Sequence, residues 1–195
     1  MHDNIILAGV GGQGILSISA VLALGALSKG LFVKQSEVHG MSQRGGAVLS
    51  HIRISDLEIQ SVLIPNGKAN ALISVEPMET LRYYNYLSPD GIMISNTDPY
   101  ESDNYPDLES IMIELNKLPN RILLDASKLA LKAGNKKSAN MVVLGAASPY
   151  LNLGEEAILE GMMAFFSPKG ERVISVNMDA FNFGRDFALN EIQKK

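Results

Sequence analysis

A chain of 195 residues with 46% hydrophobic and 19% charged side chains has the size and apolar mass of one globular domain, here residues 1–195. Its formal net charge of −4 and isoelectric point of about 5.4 argue against a nucleic-acid partner, which selects a basic face. The absence of cysteine excludes disulfides, thiolate zinc sites and iron–sulfur ligation by this chain.

No charged side chain lies between Asp3 and Lys29. That run is long enough to span a membrane, but Gly9, Gly11, Gly12, Gln13, Gly14 and Gly25 interrupt it. No Lys or Arg precedes it, as a signal peptide would require. The expectation is a cytoplasmic protein without a membrane partner.

Asn4 to Ala8 reads as a short, fully buried strand. After a glycine turn, Ile15 to Ser28 reads as a helix that is apolar almost all round. Such a helix is covered on both sides, by a sheet on one and by another layer or another chain on the other. Leu31 to Lys34 reads as a second strand, which completes a right-handed βαβ unit. Gln35 to Gly46 reads as a polar, glycine-rich loop.

"AVLSHIRISD" alternates, with Val48, Ser50 and Ile52 on one face and Leu49, His51 and Arg53 on the other. With "EIQSVLIP" it predicts a hairpin turning at Asp56. "ANALISVEP" is a buried strand, and Pro77 suits the first turn of a helix through "METLRYYNYL". Pro89 to Gly91 signals a turn before the strand "IMISN".

Thr97 to Pro106 is a polar loop. "DLESIMIELNKL" is amphipathic, with Leu108, Ile111 and Leu115 on one stripe. The strand "RILLDA" follows, and the rest reads as helices. The predicted fold is α/β: a Rossmann-like, doubly wound, mostly parallel sheet with an added hairpin and a helical C-terminal cap.

Gly9-x-Gly11-x-x-Gly14, with Gly12 and Gln13 between, has the spacing of a dinucleotide-binding turn. Glycines there allow a tight turn, and the helix N-terminus favours an anion. A dinucleotide site also needs an acid about 20 residues on, at the end of the second strand, for the ribose. Lys34 and Gln35 stand at that place, and Glu37 falls inside the loop. Close helix–strand packing explains the glycines equally well.

Other chemistry finds little support. "GMSQR" departs from a nucleophile elbow because Arg44 replaces the second glycine. His2, His39 and His51 lack metal-ligand spacing, so no metal site is expected. "GNKKSAN" places two lysines before a helix, as solvated surface or facing an anionic partner. In the loop, Glu37, His39, Gln43 and Arg44 are interleaved with Gly40, Gly45 and Gly46, where parallel sheets collect ligands. A plain solvent loop is the alternative.

"AGVGGQGILSISAVLALGALSKG" followed by "QSEVHGMSQRGGAVLSHIRIS" resembles the gamma-type domain of 2-oxoacid:ferredoxin oxidoreductases. "EVHGMSQRGG" is similar to the branch acting on indolepyruvate, and "ANMVVLGAAS" and "VNMDAFNFG" also fit. The resemblance covers essentially the whole chain. It implies a heteromeric enzyme that decarboxylates an arylpyruvate on thiamine diphosphate, passes electrons through iron–sulfur clusters to ferredoxin, and transfers the acyl group to coenzyme A. Thiamine diphosphate, its magnesium and the clusters then belong to a large alpha subunit, and this chain alone binds none of them.

The resemblance carries over the turn Gly9, Gly11, Gly12, Gln13, Gly14 and the loop Ser36, Glu37, His39, Gly40, Gln43, Arg44, Gly45, Gly46, as facing the substrate, coenzyme A or the partner subunit. Catalytic residues are not assigned. Rival readings are the same role for pyruvate or another 2-oxoacid, a stand-alone nucleotide-binding module, and a pure assembly subunit. The apolar first helix predicts a homodimer when the chain is isolated.

Overall fold

The computed structural model describes residues 1–39, 45–100 and 105–194, with His39 by its backbone only. Six strands form one sheet: β1 (His2–Val10), β2 (Phe32–His39), β3 (Ala47–Ser55), β4 (Ala69–Ser74), β5 (Leu87–Asn96) and β6 (Arg121–Leu124). They lie in the order β2-β3-β1-β4-β5-β6. β1, β4, β5 and β6 run parallel, while β3 is antiparallel to both neighbours.

The sheet is apolar on both faces because both are covered. Along β1, Ile5 and Leu7 enter one core and Ile6 and Ala8 the other. The first face carries α1 (Ile15–Ser28), α4 (Ala126–Lys132), α5 (Ala139–Ala147), α6 (Glu155–Phe166) and α7 (Glu171–Gln193). The second carries α2 (Pro77–Tyr83) and α3 (Leu108–Lys117). The doubly wound sheet and its helical cap are therefore as expected.

The hairpin is present, but its members differ from the prediction. β3 pairs with β2, from Phe32 opposite Ser55 to His39 opposite Val48. The segment after Asp56 forms no strand; it folds over the sheet and inserts Ile59 and Ile64 into buried positions. These two are anchors of an irregular cover, not members of a ladder. β2 runs five residues past Lys34, because pairing with β3 outweighs the polar run Gln35 to Glu37 at a solvated edge. β3 also stands between β1 and β2, so those parallel strands are not neighbours. Pro89 to Gly91, predicted as a turn, lies within β5 where the register with β4 shifts.

The predicted second cover of α1 is largely internal, namely α6. The two helices approach so closely that a Cβ on Gly25 would meet the Ala157 carbonyl oxygen at 2.2 Å, and one on Gly161 the Val21 carbonyl oxygen at 2.1 Å.

A buried carboxylate ties β1 to the cap. Asp3 is fully buried, and its Oδ1 accepts from Asn70 Nδ2 at 2.9 Å and from the Asn152 backbone N–H at 3.1 Å. Asn152 Nδ2 also donates to Oδ1 at 3.0 Å, and the Leu153 N–H donates to Oδ2 at 2.9 Å. Truncation to Asp3→Ala strands these donors, which predicts a loss of about 3 kcal/mol and a melting midpoint lower by roughly 6–12 °C. Asp3→Asn should lose less. Scanning calorimetry checks this, and an unchanged midpoint for Asp3→Ala would refute the anchor.

Candidate functional site

The glycine turn joins β1 to α1 as predicted. Gly14 caps the helix in the left-handed region at φ 82°, with no side-chain cap. A Cβ there would lie 2.4 Å from Asn140 Nδ2, which donates to the Gly14 carbonyl at 3.1 Å. Position 14 therefore requires glycine on two counts, backbone conformation and space. Gln13 closes the turn: its Oε1 accepts from the Val10 N–H at 2.8 Å, and its Nε2 donates to the Val75 carbonyl at 3.4 Å.

The Gly11 N–H donates to the Gly46 carbonyl at 2.9 Å. This bond extends the ladder in which Val10 faces Ala47. In a dinucleotide fold the glycine turn stays open so that its backbone approaches the pyrophosphate. Here Gly11 is engaged by the returning loop, and the start of β3 occupies the ground beside β1.

Glu37 lies on β2, not in a loop, and Lys34 and Gln35 do not end that strand. Glu37 lines a pocket of about 280 Å³ with Val10, Gly11, Gly12, Gly14 and Val48. An acid does therefore stand near the turn. The inserted β3 and the bonded Gly11 distinguish this turn from the open turn of a dinucleotide fold.

The other predicted residues separate. Ser36 faces His51 and Glu37 faces Ser50 across the ladder, so the two point to opposite faces. Ser50 is on the α1 face, 3.3 Å from the Ser19 hydroxyl. Gly9 sits in β1 opposite Val48, and Gly45 is exposed at φ 80°. Gly40, Gln43 and Arg44 lie outside the described residues.

A larger cleft, about 580 Å³, opens on the other side of the turn. α1 leaves β1 on one face and α2 leaves β4 on the other, so the β1/β4 seam is a topological switch point, where such sheets bind ligands. Gly12, Gln13, Asn96, Asp98, Lys136 and Lys137 are among its lining. Buried Asn96 fixes the strand ends: its Oδ1 accepts from the Ala126 N–H at 3.0 Å, and its Nδ2 donates to the Val75 carbonyl at 3.2 Å. Asp98 accepts a short hydrogen bond from the Ser127 hydroxyl and pairs with Lys136 at 3.3 Å. Lys137 pairs with no carboxylate among the described residues. Two ammonium groups beside a helix N-terminus suit an anion.

Glu76, fully buried after β4, caps α2 by accepting from the Glu79 N–H at 2.8 Å. Its Oε1 also accepts from the Tyr105 hydroxyl. Burial, then the Glu76 carboxylate, push the Tyr105 phenol up, so it stays a neutral donor. Burial holds the His51 imidazole below its usual range, and its Nδ1 accepts from the Ile64 N–H at 3.2 Å. Sequence reasoning missed Asn96, Asn140 and Glu76. Of these only Glu76-Pro77 left a signal, an acidic cap before a first-turn proline.

Among the described residues no His, Asp and Glu side chains cluster as a metal requires. No described helix is long and apolar enough to cross a membrane.

A profile for pyruvate ferredoxin/flavodoxin oxidoreductase matches residues 4–187. The indolepyruvate oxidoreductase subunit IorB of Pyrococcus horikoshii is 38% identical over 93% of each chain. The common gamma subunit of the pyruvate/ketoisovalerate oxidoreductases of Thermococcus kodakarensis is 27% identical over 89% of this chain and 92% of its own. The structure of 2-oxoglutarate:ferredoxin oxidoreductase from Magnetococcus marinus, with 2-oxoglutarate, coenzyme A and succinyl-CoA bound, superposes with a TM-score of 0.76 at 23% identity. That match covers 97% of this chain but 31% of the longer one, so it shows the fold. By sequence and by fold, the chain belongs to the pyruvate ferredoxin/flavodoxin oxidoreductase family.

Proposed function

We propose that this chain is the small subunit of a cytoplasmic indolepyruvate:ferredoxin oxidoreductase, which converts arylpyruvates to aryl-acetyl-CoA. The observation that carries this reading is the gradient of identity, 38% to the indolepyruvate relative against 27% to the pyruvate/ketoisovalerate one. A large alpha subunit holds thiamine diphosphate, magnesium and the iron–sulfur clusters, and ferredoxin takes the electrons. A chain without cysteine supplies no cluster thiolate. Copurification with that subunit, then assay with indolepyruvate, coenzyme A and an electron acceptor, tests the reading. Failure to form a complex, or a higher kcat/KM for pyruvate, overturns it.

In this reading the glycine turn contributes to the shared active site, and the Lys136–Lys137 cleft takes the phosphates of coenzyme A. Lys137→Ala should raise the KM for coenzyme A several-fold, about 1 kcal/mol of lost binding, with kcat unchanged. An unchanged KM would remove coenzyme A from this cleft. The isolated chain should not bind NAD or NADP; micromolar binding by titration calorimetry would contradict the reading of the closed turn.

Arg44 precedes Gly45 and Gly46 in sequence, two residues from the bond to Gly11. A guanidinium offers a planar fork for a 2-oxoacid carboxylate or a phosphate. Arg44→Ala should lower turnover of the assembled complex at least tenfold, about 1.4 kcal/mol, while assembly persists. Arg44→Lys should restore it in part. Normal kinetics for the alanine variant would make Arg44 a surface residue, and loss of assembly would make it an interface residue.

A further inference from the structure

We propose that two copies of this chain join edge to edge, β2 pairing antiparallel with β2 of the second copy about a twofold axis through Gln35, with the α1 helices closing over the seam. The proposal deepens the expectation that the isolated chain self-associates, by naming the surface.

β2 is the outer strand of the sheet, eight residues long. Among the described residues no strand pairs with its far side, and an unpaired edge is a template for another strand. Edges are usually blunted by proline, by charge or by shortness. This one carries no proline, and its charged residues are Glu37, which lines the pocket beside the glycine turn, and the exposed Lys34. Phe32 and Val38 remain 49% and 58% exposed.

The sequence of β2 selects its partner. In an antiparallel pair, directly opposite residues point to the same face. A twofold axis normal to the sheet therefore requires paired positions of equal parity. Centring on Gln35 places Phe32 opposite Val38 of the second copy, and Val38 opposite its Phe32. Lys34 then meets Ser36, which keeps the two lysines from facing each other. The two exposed apolar side chains of the strand thus sit at mirror positions, so one register covers both twice over. An unrelated strand would need that pattern by chance.

α1 supplies the second half of the argument. It packs over β2 and β3. Ile15, Ser19, Leu22 and Ala26 are buried toward the sheet, while Val21 and Gly25 meet α6. The helical repeat leaves Leu16, Ala20, Ala23, Leu24 and Leu27 on the remaining flank. Leu16 and Leu27 are 54% and 60% exposed. That flank is turned away from α6, on the β2 side of the molecule. Pairing the edges brings the same flank of a second copy beside it, which buries both apolar stripes.

The test uses the isolated full-length chain. Sedimentation velocity should show a dimer. Phe32→Lys or Val38→Glu alone should each weaken it about tenfold or more, by placing a charge against an apolar side chain. The double variant Phe32→Lys/Val38→Glu should recover most of the loss, since the new charges face each other across both halves of the seam. Because the chain has no cysteine, Gln35→Cys gives an independent readout. Opposite Cβ atoms lie about 4.5–5.5 Å apart, near disulfide reach, so mild oxidation should yield a covalent dimer that Lys132→Cys does not.

A monomeric wild-type chain overturns the proposal. So does a dimer indifferent to the two charge variants, or equal cross-linking at position 132. Complex formation and activity with the large subunit are scored separately. An active complex built from monomeric Phe32→Lys leaves the subunit reading intact and removes only the β2 seam.

Discussion

The bond from the Gly11 N–H to the Gly46 carbonyl governs how this molecule uses a familiar turn. It is a single backbone contact, worth about 1 kcal/mol by itself, yet it marks a larger decision in topology. An antiparallel strand has been laid between β1 and the strand that β1 would otherwise neighbour. Once β3 is there, the turn cannot lie open along β2 as a dinucleotide site needs. Gly46, just before β3, is instead bonded to the turn, so the glycine turn and the first residues of β3 meet at one end of the sheet.

The two sides of the turn have different character. Toward β3 lies a small pocket with Glu37, its carboxylate beside glycines and Val48. Toward β4 lies the larger cleft with Lys136 and Lys137. Gln13 and Asn140 keep these apart by bonding the turn to Val75 and to α5. The backbone is thereby held from the end of β4 and from α5. A turn fixed this way presents its remaining donors in one geometry, as a binding surface requires if recognition is not to spend energy on ordering.

Much of the fold is legible in the sequence where burial is complete. β1, β4 and β6 are continuous apolar runs, and α1 ends at Ser28 as its pattern predicts. The errors lie where tertiary pairing overrides local pattern. Gln35, Ser36 and Glu37 read as loop because an edge strand is solvated on its open side, and only β3 makes them a strand. The segment from Glu58 to Pro65 reads as a strand, but Ile59 and Ile64, five positions apart, serve as two pegs in an irregular cover. The glycine turn and Glu37 were visible as candidates. Asn140 was not, because its partner Gly14 is 126 positions away, and a single asparagine in a helix carries no pattern. Asn96 was hidden likewise, its work being to satisfy backbone groups of other elements.

The distribution of buried polar groups separates stability from recognition. Asp3 lies at the opposite end of β1 from the glycine turn and is saturated by donors from Asn70, Asn152 and Leu153. Glu76 caps α2 and holds Tyr105. Both carboxylates are consumed by structure, so their burial is no sign of catalysis, although a buried acid in a cleft often is. The side chains not spent in this way include Lys137, which stands at the carboxyl ends of the strands with no carboxylate partner among the described residues, and the exposed Leu16 and Leu27 along one flank of α1.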